Sequence, residues 1–256
     1  MSTTLRLLST LLLIAASSFA QRPQPLATVP FVGCPADGQQ GPVAAPKGQP
    51  RHLAIPQAAA DRLAWYQFNL EGSTPELGTL APRGWHCFGT YGSNGSTIYV
   101  APEPLDADKL ISGKNWRGFT GPVVELNLRV GDTSGRFEVA RVVARIFPAH
   151  RSYVKSVIAE HFDSPGDYHY GPFPADKLTY KTHDLVEFTT PPHKDGLGTM
   201  SGLQSNDQPI HGIASLDVNG DMSLTRLVIR LPSDLESLAP ILINLEEQFG
   251  DNSKTK

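Results

Sequence analysis

Hydrophobic and polar positions change their period along the chain, and each change predicts an element. An apolar run over Leu7–Leu8 and Leu11 to Ala16 follows Arg6 and ends at the small residues Ser18 and Ala20. That three-part pattern reads as a secretory leader cut near Ala20, too short and too interrupted by Ser9 and Thr10 for a membrane span. Residues 21–55 carry no sustained period and are rich in Pro and Gly, which predicts an extended N-terminal tether. After Pro56, the residues Ala59, Leu63, Tyr66 and Leu70 fall at helical spacing and predict an amphipathic helix over 57–70, ending near Gly72.

The period then shortens to two. Gly84 to Tyr91 and Thr97 to Val100 flank Gly92-Ser93-Asn94-Gly95, a hairpin signal. Val124, Leu126, Leu128 and Val130 alternate with Glu125, Asn127 and Arg129, which predicts a strand with one face in water. Thr133-Ser134 can cap a helix bearing Phe137, Ala140, Ala144 and Phe147, stopped by Pro148. A shorter helix should hold Tyr153, Val157 and Ile158. Residues 161–177 are turn-rich and aromatic and predict a long irregular loop. Strands return at 177–181 with 185–189, and at 210–217 with 223–231, the latter pair turning at Asn219-Gly220. Leu238, Ile241, Leu242, Leu245 and Phe249 form a closing helical stripe. With Ser237 as its cap, Pro240 falls harmlessly in the first turn. Strands that pair mainly as neighbours imply an α+β fold, a mainly antiparallel sheet with helices packed on it, as a single domain over 56–256.

Composition narrows the classes. The 256 residues carry 22 Lys+Arg against 25 Asp+Glu, a net charge of −3. This leaves no broad basic footprint for nucleic acid. No second long apolar run follows the leader, so the mature chain should hold no transmembrane segment and should be secreted or periplasmic. In that compartment Cys34 and Cys87 read as one disulfide. The alternative, a catalytic thiol served by His86, fails because adjacent strand residues point to opposite faces.

Two resemblances can be set beside these readings. The segment Ala81-Pro82-Arg83-Gly84-Trp85-His86-Cys87-Phe88-Gly89-Thr90-Tyr91-Gly92-Ser93-Asn94-Gly95 resembles the signature of a family of secreted bacterial proteins without assigned activity, and the likeness runs on through Gly131 to Phe137. Pro82-Arg83-Gly84-Trp85 before antiparallel strands, with a late strand leading to a terminal helix at Glu246-Glu247-Gln248-Phe249, is similar to PsbP-like proteins. That second resemblance implies an α/β/α sandwich and a non-enzymatic binding or assembly role.

Candidate chemistry is sparse. Asp217, Asn219 and Asp221 sit at calcium-loop spacing, but Met222 and Val228 occupy the positions that need Gly and an acid, so a hairpin turn explains them better. His150, His161, His169, His183 and His193 cluster in sequence without metal-ligand spacing. Ser93 and Ser96 lie in a hairpin, not at a nucleophile elbow. No metal and no cofactor are therefore assigned. Arg141 and Arg145 share a helix face that could meet an anion. Tyr168, Tyr170 and Phe173 could line a groove, or could pin their loop to the core. The expectation is a secreted, non-catalytic protein that binds a small-molecule ligand or a protein partner. A hydrolase with a Ser/His site and a structural envelope component are the alternatives.

Overall fold

The structure is a computed structural model and describes residues 26–69, 77–114 and 116–253. The expected leader and the expected helix end near Gly72 lie outside these residues. In chain order the strands are β1 (Ala27–Val29), β2 (Phe31–Gly33), β3 (Ala36–Gly38) and β4 (Arg51–Leu53), then the single helical turn α1 (Gln57–Ala60). Next come β5 (Leu63–Phe68), β6 (Leu77–Pro82), β7 (His86–Gly92), β8 (Gly95–Ala101), the short helix α2 (Ala107–Ser112) and β9 (Val123–Arg129). Helices α3 (Gly135–Ile146) and α4 (Arg151–Ile158) follow. Strands β10 (Lys177–Tyr180), β11 (Leu185–Thr190), β12 (Ile210–Asp217) and β13 (Ser223–Arg230) precede the terminal helix α5 (Ala239–Ser253).

Eight strands make the main sheet in the order β10-β11-β12-β13-β9-β8-β7-β3, antiparallel throughout except where β3 joins β7. It is two meanders, β7-β8-β9 and β10-β11-β12-β13, joined where β9 pairs with β13. The chain crosses from the centre, β9, to the far edge, β10, through α3 and α4. Strand alternation then sends side chains to two cores. Leu126, Leu227 and Ile229 meet α5 through Leu242 and Leu245, together with the smaller β2-β5-β6 sheet. Val123, Leu224 and Val228 meet Val139, Val143 and Ile146 of α3. Helices thus cover both faces of an α+β, mostly antiparallel fold.

Four expectations are corrected. The helix over 57–70 is confined to Gln57–Ala60, and Leu63–Phe68 is strand β5 with all six residues buried. A strand covered on both faces hides its period of two, and Trp, Tyr and Phe in the run favour a pleated surface. The segment 21–55, expected as a tether, contributes β1 to β4 and buries Val29, Cys34 and Ala36. Its prolines join the ladders as acceptors: Trp65 N–H donates to Pro30 O at 2.9 Å, and Gly89 N–H to Pro35 O at 2.9 Å. Proline has no N–H but keeps its carbonyl, so it fits where only an acceptor is needed.

The β12–β13 connection spans residues 218–222 and not two residues, because Asp217 pairs with Ser223. In the β7–β8 hairpin the two loop residues are Ser93 and Asn94, with Gly92 paired to Gly95. Gly95 starts β8 at φ +122°, where a Cβ would lie 2.0 Å from Leu128 O, so glycine is required there for closure onto β9. The polar face of β9, expected in water, is covered as well.

The disulfide joins Cys34, beyond β2, to Cys87 in β7, across a sequence separation of 53. At the C-terminus a 3₁₀ turn over Glu236–Leu238 runs into α5, and Pro240 occupies the first turn of that helix. Burial on α5 pushes the Glu246 carboxyl up from 4.5 to about 7. A raised carboxyl binds its proton more tightly when folded. Its contribution is therefore favourable below the unfolded value and is lost as pH rises from about 4.5 towards 7. Urea midpoints between pH 5 and pH 8 should fall in the native protein and stay flatter in Glu246→Gln, the variant being more stable at pH 8 by roughly 1–3 kcal/mol.

Candidate functional site

The polar residues of β9 are the ones the alternation pattern assigned to water. Two of the three are instead buried, Glu125 at 1% exposed and Asn127 at 2%, and Arg129 is half-buried. The reason is the crossing. The α3 helix and the 196–204 segment close over this half of the sheet, so the face that would be wet in an uncovered meander becomes an interior. A buried polar group must find partners. Thr97 of β8 donates to Asn127 Oδ1 at 3.0 Å, Asn127 Nδ2 donates to Glu125 Oε1 at 2.7 Å, and Gly202 N–H donates to Glu125 Oε2 at 2.9 Å. Arg129 donates to Glu138 Oε2 at 2.5 Å and to Asn127 Oδ1 at 3.1 Å. Asn94 Nδ2 donates to the other Glu138 oxygen at 2.8 Å, so the hairpin tip is tied to α3.

Two arginines of β13 share this face and differ sharply. Arg230 is fully buried and each guanidinium nitrogen has a carbonyl: Gly121 O at 3.0 Å from Nε, Gln204 O at 2.6 Å from Nη1 and Phe119 O at 2.7 Å from Nη2. It is a structural clamp on the 119–121 and 204 backbones. Arg226 lies four residues earlier and opposite Asn127, and is 7% exposed. Its Nη2 donates to Met200 O at 2.6 Å, while Nε and Nη1 are buried with no hydrogen-bond partner. Among the described residues no carboxylate lies within ion-pair distance of it. Leaving such donors unmade costs on the order of 1–3 kcal/mol, more for a charged group.

Arg226 borders a cavity of about 200 Å³ between α3 and the sheet. Arg129, Arg141, Asn127 and the Glu138 carboxylate also line it, with Val142, Met200 and Leu224 as apolar wall. Arg129 is the partition to a second cavity of about 190 Å³ on the β7–β8 side, lined by Thr90, Thr97 and Tyr99. Electrostatics follow from burial. Burial pushes Glu125 above the ordinary carboxyl range, against the Asn127 hydrogen bond and the Arg226 charge. Burial pulls Arg226 down, against the attraction of Glu125. Burial also raises Glu138, but the Arg129 charge and hydrogen bonds outweigh it and leave its carboxyl below the ordinary range. The arrangement can hold a charge in a low-dielectric chamber, where fixed dipoles and ions act strongly.

The residues singled out from the sequence have mixed surroundings. Arg141 lines the cavity and donates to Asp163 Oδ2 at 2.6 Å. Tyr168 is buried, with its hydroxyl donating to the same oxygen at 3.1 Å. Arg145 lies over the Phe173 ring at 4.1 Å, and Tyr170 is exposed with Arg151 5.7 Å from its ring centre. These contacts fasten the 161–177 loop to α3 and α4. Ser93 Oγ bonds to Ser134 Oγ at 3.0 Å and accepts from Gln39. His150 pairs with Asp184, and His193 with Asp207. Among the described residues no three His, Cys, Asp or Glu side chains converge as a metal site.

One hydroxyl–imidazole–carboxylate series does exist. Thr189 Oγ1 lies 3.0 Å from His211 Nδ1, and His211 Nε2 lies 2.7 Å from Glu236 Oε1, beside a cleft of about 440 Å³ under α5. The spacing in sequence hides it, because Thr189 and His211 meet through the register of β11 on β12 and Glu236 joins them from the 3₁₀ turn before α5. Arg226 was likewise missed. The signal there was available: Leu224, Arg226, Val228 and Arg230 share a phase, so two cations ride an otherwise buried face. Comparison of the chain with protein-family models, with curated proteins and with solved structures finds no match. Among the described residues no helix is long and apolar enough to cross a membrane.

Proposed function

We propose that the protein is a secreted, non-catalytic binding protein whose small-molecule site is the cavity between α3 and the sheet. The observation that carries this reading is Arg226: a buried guanidinium with two unpaired nitrogens beside a preformed, partly apolar chamber. Ligand sites are mostly apolar and largely preformed, with a few polar groups aimed by the scaffold. Secretion is supported by the leader pattern of residues 1–20 and by a disulfide, which suits an oxidising compartment. The likeness of the Pro82–Trp85 opening to PsbP-like proteins points the same way, towards binding over catalysis.

Hydrolysis is the second reading, favoured by the Thr189–His211–Glu236 series. Binding is preferred because Thr189 sits inside β11, paired to Lys177 on one side and His211 on the other. The ladder takes the backbone N–H groups that an oxyanion would need. Thermal unfolding of the secreted chain against a panel of small anionic, neutral and cationic organic compounds separates the two. A concentration-dependent rise in midpoint with one class, lost in Val142→Phe, is the expected result. No rise with any class, together with ester cleavage abolished by Thr189→Val, would replace the binding reading with the hydrolytic one.

A further inference from the structure

We infer that the ligand of the α3 cavity is a small organic monoanion, a carboxylate carrying a short apolar tail; this rests on the binding reading above. The charges and hydrogen bonds of the chamber point to it. Of its three arginines, Arg129 is matched by Glu138 and Arg141 by Asp163. Glu125 exerts the strongest attraction on Arg226, yet its oxygens accept from Asn127 and the Gly202 amide, and not from the guanidinium. Arg226, which borders the chamber, feels the Glu125 charge but is left without an ion-pair contact and with two buried, unpaired nitrogens. A cation desolvated in this way is completed by an acceptor that bears charge.

Two further facts narrow the anion. Val142, Met200 and Leu224 form part of the same wall, so the ligand has carbon to bury, which inorganic phosphate or sulfate does not. The volume, about 200 Å³, falls below that of typical drug-sized pockets, and at about 30 Å³ per water it holds roughly six or seven water-sized groups. A carboxylate with a tail of a few carbons fits both limits. The comparison with Arg230 shows that the fold can satisfy a buried arginine on this strand with carbonyls alone. The unpaired state of Arg226 is therefore not a general property of the sheet face but a local one, confined to the position that borders the chamber.

The test is calorimetric titration of the secreted chain with butyrate, valerate and benzoate, with butyramide and butylamine as isosteric controls, and with inorganic phosphate. Binding of at least one carboxylate, at least about tenfold tighter than butyramide, is expected, since a site built around a charged donor rejects the analogue that lacks the charge. Arg226→Met should abolish it. Should that variant fail to fold, Val142→Phe, which fills the chamber from α3 and leaves the arginines in place, should abolish it instead. Equal binding of butyramide or butylamine would overturn the anion assignment and leave the binding reading standing. Phosphate binding without carboxylate binding would overturn the apolar tail and keep the anion. No binding by any probe would remove both.

Discussion

Glu125→Ala is expected to destabilise the fold by about 3–5 kcal/mol, the range for removing one member of a buried charged set. The size follows from what the carboxylate holds. Its loss frees Asn127 Nδ2 and the Gly202 N–H in an interior that admits little water, and it removes the negative charge nearest Arg226. Unfolding midpoints for chains of this size move by about 2–4 °C per kcal/mol, so a fall of roughly 10 °C is the thermal readout. The double variant Glu125→Leu with Arg226→Met should recover most of the loss, because apolar groups of similar volume can replace a buried ionic set at little cost. Urea unfolding of the two singles and the double measures the coupling directly. A loss below about 1 kcal/mol in the single variant would mean that Glu125 is solvated in solution and that the polar face of β9 is open after all.

The second large effect is expected at the disulfide. Cys34 and Cys87 close a loop spanning a separation of 53 residues, and on the chain-entropy model that constraint contributes roughly 4 kcal/mol. The paired substitution Cys34→Ala/Cys87→Ala should lower stability by about that amount, visible as a lower urea midpoint. Reductant should lower the midpoint of the native chain and leave the variant unchanged. The bridge also fixes the N-terminal strands. Cys34 N–H donates to Gln67 O at 2.8 Å, between the β2–β5 and β3–β7 pairings. Hydrogen exchange in the variant should therefore quicken first over residues 31–38, ahead of β9 and β13. Uniform exchange across both regions would show that these strands dock without the bridge.

What could be read from the sequence, and what could not, divides on physical lines. The hairpins of the main sheet were legible because each pairs with its neighbour in sequence, and a face covered by helices leaves a period of two in Leu224, Val228 and their like. The disulfide was legible from two cysteines behind a leader-like pattern. Strand β5 was not, because Leu63–Phe68 is buried on both faces and the helical turn Gln57–Ala60 before it suggests a longer helix. Strands β1 to β4 were not, because their partners lie 22 (Val29–Arg51) to 53 (Ala36–Gly89) residues away and prolines mask them as coil. The site was only partly legible. Arg141 was picked out for its place on a helix face, but the residues that give the cavity its character, Glu125, Asn127 and Arg226, read as a wet strand face until a helix is placed above them. A polar stripe on a strand has two meanings, and the covering layer chooses between them.

The placement of β3 sets the order in which this chain can finish. A ribosome releases Phe31–Gly38 before Leu63–Phe68 and His86–Gly92 exist, yet those are the strands it must join in parallel. The first strands made must thus wait for β5 and β7, and until β3 is seated the outer rim of β7 lies bare, with its hydrogen-bonding groups open to any extended segment. Two prolines on either side of β2 and the glycine-rich stretch that follows make this early segment a poor template for premature pairing. The N-terminal region is in this sense a clasp on the outer edge of the sheet, and the covalent bond between Cys34 and Cys87 is the catch that keeps it shut.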